Sequence, residues 1–405
     1  MSPLFQRLLA VSAASLFVRC SVQEAGPPPR PLNETDRQLA ESTNAFGFNF
    51  FKQISSEAAD KSVFVSPPSV SLALGMTLNG AAGNTHEEMH RTLALGELTP
   101  DQANDSYGNV IRTLQSLDRK VILQIADSIW CRKGLSVKPE FLGVNSRHFN
   151  AEIRAIDFGD PGASKTINGW VERSTKGKIP KIVPDPIPAD VVMYLINAIY
   201  FKGTWTTAFD PTQTREDVFT TVDGTKTPCK LMHRGGECRY LETNLFQAVD
   251  LPYGEGAFNM TVFLPKPERG LEFFIGQLDR DRWTRWMSGF AERKGDLFLP
   301  RFKLEYEKTL NDVLKAMGMR AAFGSGADFS GIGPGLCITE VKHKTFVEVN
   351  EEGTEAAAAT SVEVALSAMV PGPFTMRVDR PFAFVIRESR TGAILFIGKV
   401  VELKV

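Results

Sequence analysis

His86-Glu87-Glu88-Met89-His90 sets two imidazoles one helical turn apart with a glutamate between them. That spacing can hold zinc on a helix and supply a general base for peptide hydrolysis. Such a centre needs a third protein ligand, and Leu93 stands where the extended motif has its glycine. The competing reading is a polar helix start, in which Thr85 and Glu88 form a capping box and acidic residues suit the first turn. No GxSxG elbow occurs, and Gly324-Ser325-Gly326 has the wrong spacing for one. Gly331, Gly333 and Gly335 are interrupted by Pro334 and read as a loop rather than a dinucleotide cradle. His148, His233 and His343 have no consistent Ser or Cys partner and read as structural histidines. The expectation is a chain without metal or cofactor, with a zinc peptidase on His86, Glu87 and His90 as the distant alternative.

A second segment is chemically stranger. Glu351-Glu352-Gly353-Thr354-Glu355-Ala356-Ala357-Ala358-Ala359-Thr360-Ser361-Val362-Glu363-Val364-Ala365-Leu366 contradicts itself. Its run of alanines favours helix. Read with period two, however, Thr354, Ala356, Ala358, Thr360, Val362 and Val364 form an uncharged face, with Glu355 and Glu363 opposite. That is a strand with one face to bury. Its first inward residues are small enough to slip between strands, no proline lies between Gly353 and Val370, and Gly353 supplies a hinge. Ser367-Ala368-Met369-Val370-Pro371-Gly372-Pro373 then reads as an exposed connector. A latent strand joined to a loop is what a stored conformational switch requires, against the plainer reading of a surface helix or linker.

The elements that must position these residues belong to an ordinary globular chain. Of 405 residues, 43% are hydrophobic and 23% charged, enough to bury a large core. Lys and Arg number 46 against 47 acidic residues, a net charge of -1 that gives no field to gather nucleic acid. Residues 37–55, 69–78 and 85–95 space their apolar side chains three and four apart and predict helices. From about Val121 short β-branched and aromatic runs take over, at 121–130, 191–201, 260–264, 297–304 and 382–386. Residues 382–386 and 394–400, joined through Thr391-Gly392, predict a buried terminal hairpin. Helices first and strands later is an α+β pattern. There is no repeat and no second linker, so one large domain is expected over 33–405.

Residues 1–20 read as a signal peptide, with Arg7 before an apolar stretch too short to span a bilayer and cleavage after Cys20. Export is therefore expected; a lipid anchor at Cys20 is the alternative, disfavoured by Arg19. Residues 21–32 hold the Gly26-Pro27-Pro28-Pro29-Arg30-Pro31 run and read as a linker. No later segment is long and apolar enough to cross a membrane. Cys131, Cys229, Cys238 and Cys337 form no CxxC pair, so buried thiols are expected, Cys229 to Cys238 being the most local pairing open to them.

Val349-Asn350-Glu351-Glu352-Gly353-Thr354 with the alanines through Ala359 resembles the reactive-loop hinge of the serpins, the large-fold serine-protease inhibitors. Phe64-Val65-Ser66-Pro67-Pro68-Ser69, Asn197-Ala198-Ile199-Tyr200-Phe201-Lys202-Gly203-Thr204-Trp205, Ala327-Asp328-Phe329-Ser330-Gly331 and Asp379-Arg380-Pro381-Phe382 resemble serpin signatures in the same order. The similarity runs over residues 36–405. It implies three β-sheets, about eight or nine helices, and an exposed reactive-centre loop at about 351–375. It also implies a suicide substrate rather than an enzyme: a protease cuts the loop, is caught as an acyl-enzyme, and is carried off as the loop inserts into the main sheet. By the same resemblance Ser66, Pro67, Ser69, Asn197 and His343 lie where two strands must part, Trp205 and Pro381 lie near the upper mouth, and Arg301 pairs with Glu351. A hormone-binding or chaperone role is the alternative, weighed against by the unbroken small residues of the hinge.

The family's usual offset from Glu351 puts the attacked bond between Ser367 and Ala368, with Leu366 and Met369 as neighbours in line. These side chains suit an elastase-, chymotrypsin- or subtilisin-like pocket, and no basic residue lies between Gly353 and Thr375 to suit a trypsin-like one. Residues 101–120 carry only Arg112, Arg119 and Lys120, so no strong heparin dependence is expected. The partner implied is a serine protease, and the chain is expected to be a monomer. Sequons stand at Asn33, Asn104 and Asn259.

Overall fold

The computed structural model describes residues 28–149, 151–354 and 372–403. The expected signal peptide, the first part of the linker, Glu355 to Ala359 and Leu366 to Met369 lie outside the described residues.

Apolar side chains at helical spacing build α1 (Glu34–Glu57), α2 (Pro67–Leu78), α3 (Gly83–Thr92), α4 (Pro100–Ser116), α5 (Pro139–Phe149), α6 (Ala163–Ser174), α7 (Gly270–Gly276), α8 (Arg280–Ser288) and α9 (Asn311–Ala316). Asn33 starts α1 by accepting from Asp36 N–H while the Asp36 carboxylate accepts from Asn33 N–H, a reciprocal cap. Arg30 also reaches Asp36, so the chain is tied to the body from the end of the proline run. α3 begins two residues before the expected capping box. Thr85 Oγ1 instead accepts from Asp328 N–H, and Glu88 accepts from Arg320 and Ala321 N–H. Tertiary donors won over the local cap, and they clasp α3 to residues 320–328.

The strands are β1 (Val63–Val65), β2 (Val121–Arg132), β3 (Glu152–Ile156), β4 (Met193–Thr204), β5 (Arg215–Thr220), β6 (Lys226–Glu242), β7 (Phe246–Tyr253), β8 (Phe258–Pro265), β9 (Ala291–Pro300), β10 (Phe302–Thr309), β11 (Glu340–Val349), β12 (Gly353–Thr354), β13 (Phe374–Arg377), β14 (Phe382–Glu388) and β15 (Ile394–Val400). One sheet runs β10-β11-β12-β4-β2-β3. The other two expected sheets form a single ladder, β1-β15-β14-β8-β7-β6-β9-β13 with β5 on β6. Long β6 serves both halves, pairing with β9 over Leu231 to Tyr240 and with β7 over Arg239 to Glu242. The terminal hairpin pairs Phe382 with Val400. The apolar run at 297–304 is not one strand. β9 pairs with β6 and β10 with β11, so the chain changes sheets at Arg301, and apolarity alone could not show it because both strands are buried.

Alternate residues of the two sheets face each other to make one core, including Phe201, Tyr253, Val347, Val349, Phe382 and Phe384. On its other side the six-stranded sheet is covered by α6, whose Ile167 and Val171 meet Tyr194, Ile196 and Ala198 of β4. β4 is thus enclosed on both faces, which is why it reads as a continuous apolar run.

Candidate functional site

The site lies along the seam between β4 and β11. At its upper mouth the chain leaves β11 at Val349, turns through Asn350 to Glu352, and re-enters the sheet as β12. Asn350 N–H donates to Gly353 O at 3.0 Å, and its side-chain oxygen accepts from Glu352 N–H at 3.0 Å, closing the turn. Gly353 must be glycine here. Its φ is +147°, and a Cβ would stand 2.2 Å from Gly203 O. Thr354 then pairs with Val349 on one side and Gly203 on the other. It is 1% exposed, and its hydroxyl shares a 2.7 Å hydrogen bond with the hydroxyl of Tyr253.

Trp205 frames this mouth. Its indole N–H donates to Asn350 O at 2.9 Å, its backbone N–H donates to Glu352 O at 2.8 Å, and its ring stacks on Tyr253 with centroids 4.4 Å apart. Glu351 turns inward and accepts from Arg301 Nη2 at 2.6 Å and Nε at 2.8 Å, and from the Thr214 hydroxyl. Burial works against its charge, yet these bonds hold the Glu351 carboxyl below the usual glutamate range. The pair is not a surface contact, because the glutamate side chain is only 6% exposed against 40% for the arginine. Pro381 precedes β14 by one residue, and the ring of the following Phe382 lies 5.6 Å from that of Phe302.

Further down, β4 and β11 pair directly in parallel, Tyr194 with Glu340 through Ala198 with Lys344. Above that zipper β2 pairs with residues 199–202 on one outer side and β10 with 345–348 on the other, and β12 joins the sheet at Gly203 and Val349. At the zipper's upper part Asn197 is opposite His343, and Asp127 on β2 is opposite Asn197. Asp127 accepts from Asn197 Nδ2 at 2.5 Å, and His343 Nε2 accepts from Ser66 N–H at 3.2 Å. Ser66 Oγ donates to Leu395 O at 2.7 Å, and Pro67 opens α2 as its first residue. Ser69 Oγ, Asn197 Oδ1 and His343 Nδ1 are buried without a hydrogen-bond partner among the described residues. A seam with unmet polar groups is held by fewer bonds than its neighbours. Burial pushes the Asp127 carboxyl up to about 7 against the pull of the Asn197 bond, and burial pushes His343 down to about 3.

Elsewhere, His86 and His90 share a face of α3, and no third His, Cys, Asp or Glu joins them among the described residues. Cys131, Cys229, Cys238 and Cys337 are free; the most local pair sits along one strand, β6. No helix among the described residues is long and apolar enough to cross a membrane.

Residues 41–403 match the family model described as Serpin (serine protease inhibitor). The chain belongs to the serpin family. Iripin-2 of Ixodes ricinus is 35% identical over 398 residues, covering 96% of this chain and 97% of that protein. Among solved structures, the thermophilic serpin tengpin in its native state aligns with a TM-score of 0.83 at 31% identity, over 94% of this chain and 97% of that one. Human thyroxine-binding globulin complexed with thyroxine aligns at 0.84 and 28% identity, over 92% and 100%. In this serpin the sequence motifs pointed to the seam but missed Asp127, Thr214 and Tyr253. Asp127 had a legible signal: in β2 it continues the inward series Val121, Leu123, Ile125, where a carboxylate is out of place. Thr214 and Tyr253 carried none, since each meets the hinge from another part of the chain.

Proposed function

We propose that this serpin is an irreversible suicide-substrate inhibitor of serine proteases. The observation that carries the reading is the hinge, already seated at Thr354 between β4 and β11 and in register with both. β12 pairs so that partner numbers sum to 557 on β4 and to 703 on β11 (353 with 204, 354 with 203; 354 with 349). Continuing that register sets Thr354 through Val364 opposite Gly203 through Met193, the whole remaining length of β4. Even-numbered residues then share the inward face of Thr354, which meets Tyr253; Glu355 and Glu363 point the other way. Both sums put Thr360 opposite Asn197 and His343 together, so its hydroxyl arrives where their polar atoms lack partners among the described residues.

In this mechanism the protease serine oxygen attacks the Ser367 carbonyl carbon, and the bond to the Ala368 nitrogen breaks with a proton passing to that nitrogen. The ester left on Ser367 tethers the protease. The freed strand parts β4 from β11, fills the seam, and drags the protease away before water can complete deacylation. Small or apolar residues at the cut favour an elastase-, chymotrypsin- or subtilisin-like target. Export with removal of residues 1–20, and action as a monomer outside the cell, complete the proposal.

Incubation with pancreatic elastase, chymotrypsin and subtilisin tests it. An SDS-resistant complex with at least one, cleaved after Ser367, is expected. Cleaved serpin beside fully active protease in all three would instead support a binding role such as that of the thyroxine-binding relative.

A further inference from the structure

We propose that His86 and His90 form a surface site for one divalent ion of the copper, nickel and zinc class, with two protein ligands and the other coordination positions open. α3 sets the two side chains four residues apart, and the ring centroids are 5.7 Å apart with planes at 23°. A metal about 2.1 Å beyond a ligating nitrogen stands about 3.2 Å from the ring centre, so two rings sharing one ion are at most about 6.4 Å apart. The observed separation meets that limit with an angle at the metal of roughly 125°, after rotation of each ring about its soft χ2 torsion.

Both rings are half-buried and line an open depression with Glu87, Arg91, Ala94 and Gly96, so an ion can reach them from solvent. The Glu87 carboxylate there offsets the Arg91 charge. Imidazole donors select the borderline metals over magnesium or calcium. With two protein ligands the ion keeps water, or takes a donor from a second molecule, and it braces the helix whose Thr85 and Glu88 clasp residues 320–328.

The chain has only five histidines, which makes the test clean. The full chain, purified without a histidine tag, is titrated with Zn²⁺ by calorimetry, and with Cu²⁺ followed by electron paramagnetic resonance. One ion per chain, a copper spectrum split by two nitrogens, and a thermal midpoint that rises with Zn²⁺ are expected. His86→Asn and His90→Asn should each weaken Zn²⁺ at least about tenfold and abolish the thermal shift, while His148→Asn, beside Asp105, leaves both unchanged. Binding that survives both α3 variants, or that follows His148, or no stoichiometric binding at all, would overturn the site. None of these readouts depends on protease inhibition.

Discussion

Replacing Asp127 by asparagine is expected to stabilise the chain at about pH 8 and to expose an acid sensitivity that the parent conceals. Asp127 is 4% exposed, and burial lifts its carboxyl from 3.8 to about 7. A rise of that size corresponds to about 4 kcal/mol. The folded chain holds this proton more tightly than the unfolded one. The favourable contribution is therefore complete below pH 3.8 and lost as pH rises through about 7, where a buried charge appears. His343 works the other way. Burial lowers it from 6.5 to about 3, so its contribution is present above pH 6.5 and lost as pH falls through about 3. The same conversion gives about 5 kcal/mol. Between about pH 6.5 and 4 the two slopes oppose and nearly cancel.

Asp127→Asn keeps the shape, and its amide oxygen can still accept from Asn197, but the titration is gone. Urea midpoints followed by tryptophan fluorescence from about pH 8.5 to 4.5 measure the difference from the parent, in which all other carboxylates drop out. The variant should gain up to about 4 kcal/mol at the alkaline end and lose that advantage as pH falls, by up to about 1.4 kcal/mol per pH unit. Superimposable midpoints, or a variant weaker at about pH 8, would refute the assignment of a buried, strained carboxylate at the seam.

Three further substitutions probe the hinge and its path. Thr354→Arg puts a charge beside Tyr253 in a slot 1% exposed, so it should leave cleavage by the target intact and abolish the SDS-resistant band. Thr360→Lys should act later, arresting insertion at Asn197 and His343; the number of serpin molecules consumed per protease blocked should rise at least about tenfold, since a buried unpaired ammonium costs several kcal/mol. Glu351→Ala removes the carboxylate that Arg301 and Thr214 share, and should lower the unfolding free energy from urea titration by about 1 to 2 kcal/mol, less than a fully buried pair because the arginine is half exposed.

Much of this architecture was legible because local and global preferences agree. The hairpin of β14 and β15 follows from its turn residues and apolar flanks, and β4 from an apolar run covered on both faces. The segment after Glu352 stood out for the opposite reason, a two-residue period imposed on alanines that favour helix, and of it the described residues include only Gly353 and Thr354, which pair as β12. What stayed hidden depends on partners distant in sequence. Thr85 and Glu88 look like a local cap until residues 320–328 supply better donors. Arg301 sits inside an apolar run, and only the pairing of β9 with β6 and β10 with β11 shows the corner it occupies. The register was hidden too, since a sequence gives a strand's period but not which residues of β4 and β11 Gly353 and Thr354 meet.

The loop's capacity to become a central strand is tested most directly by heat. Intact chain and chain nicked within the reactive loop are melted side by side. Filling the seam along β4 should stabilise the nicked form by at least about 5 kcal/mol, a rise of about 6 °C or more for a domain of this size. Equal melting temperatures, or a nicked form that melts lower, would contradict the account.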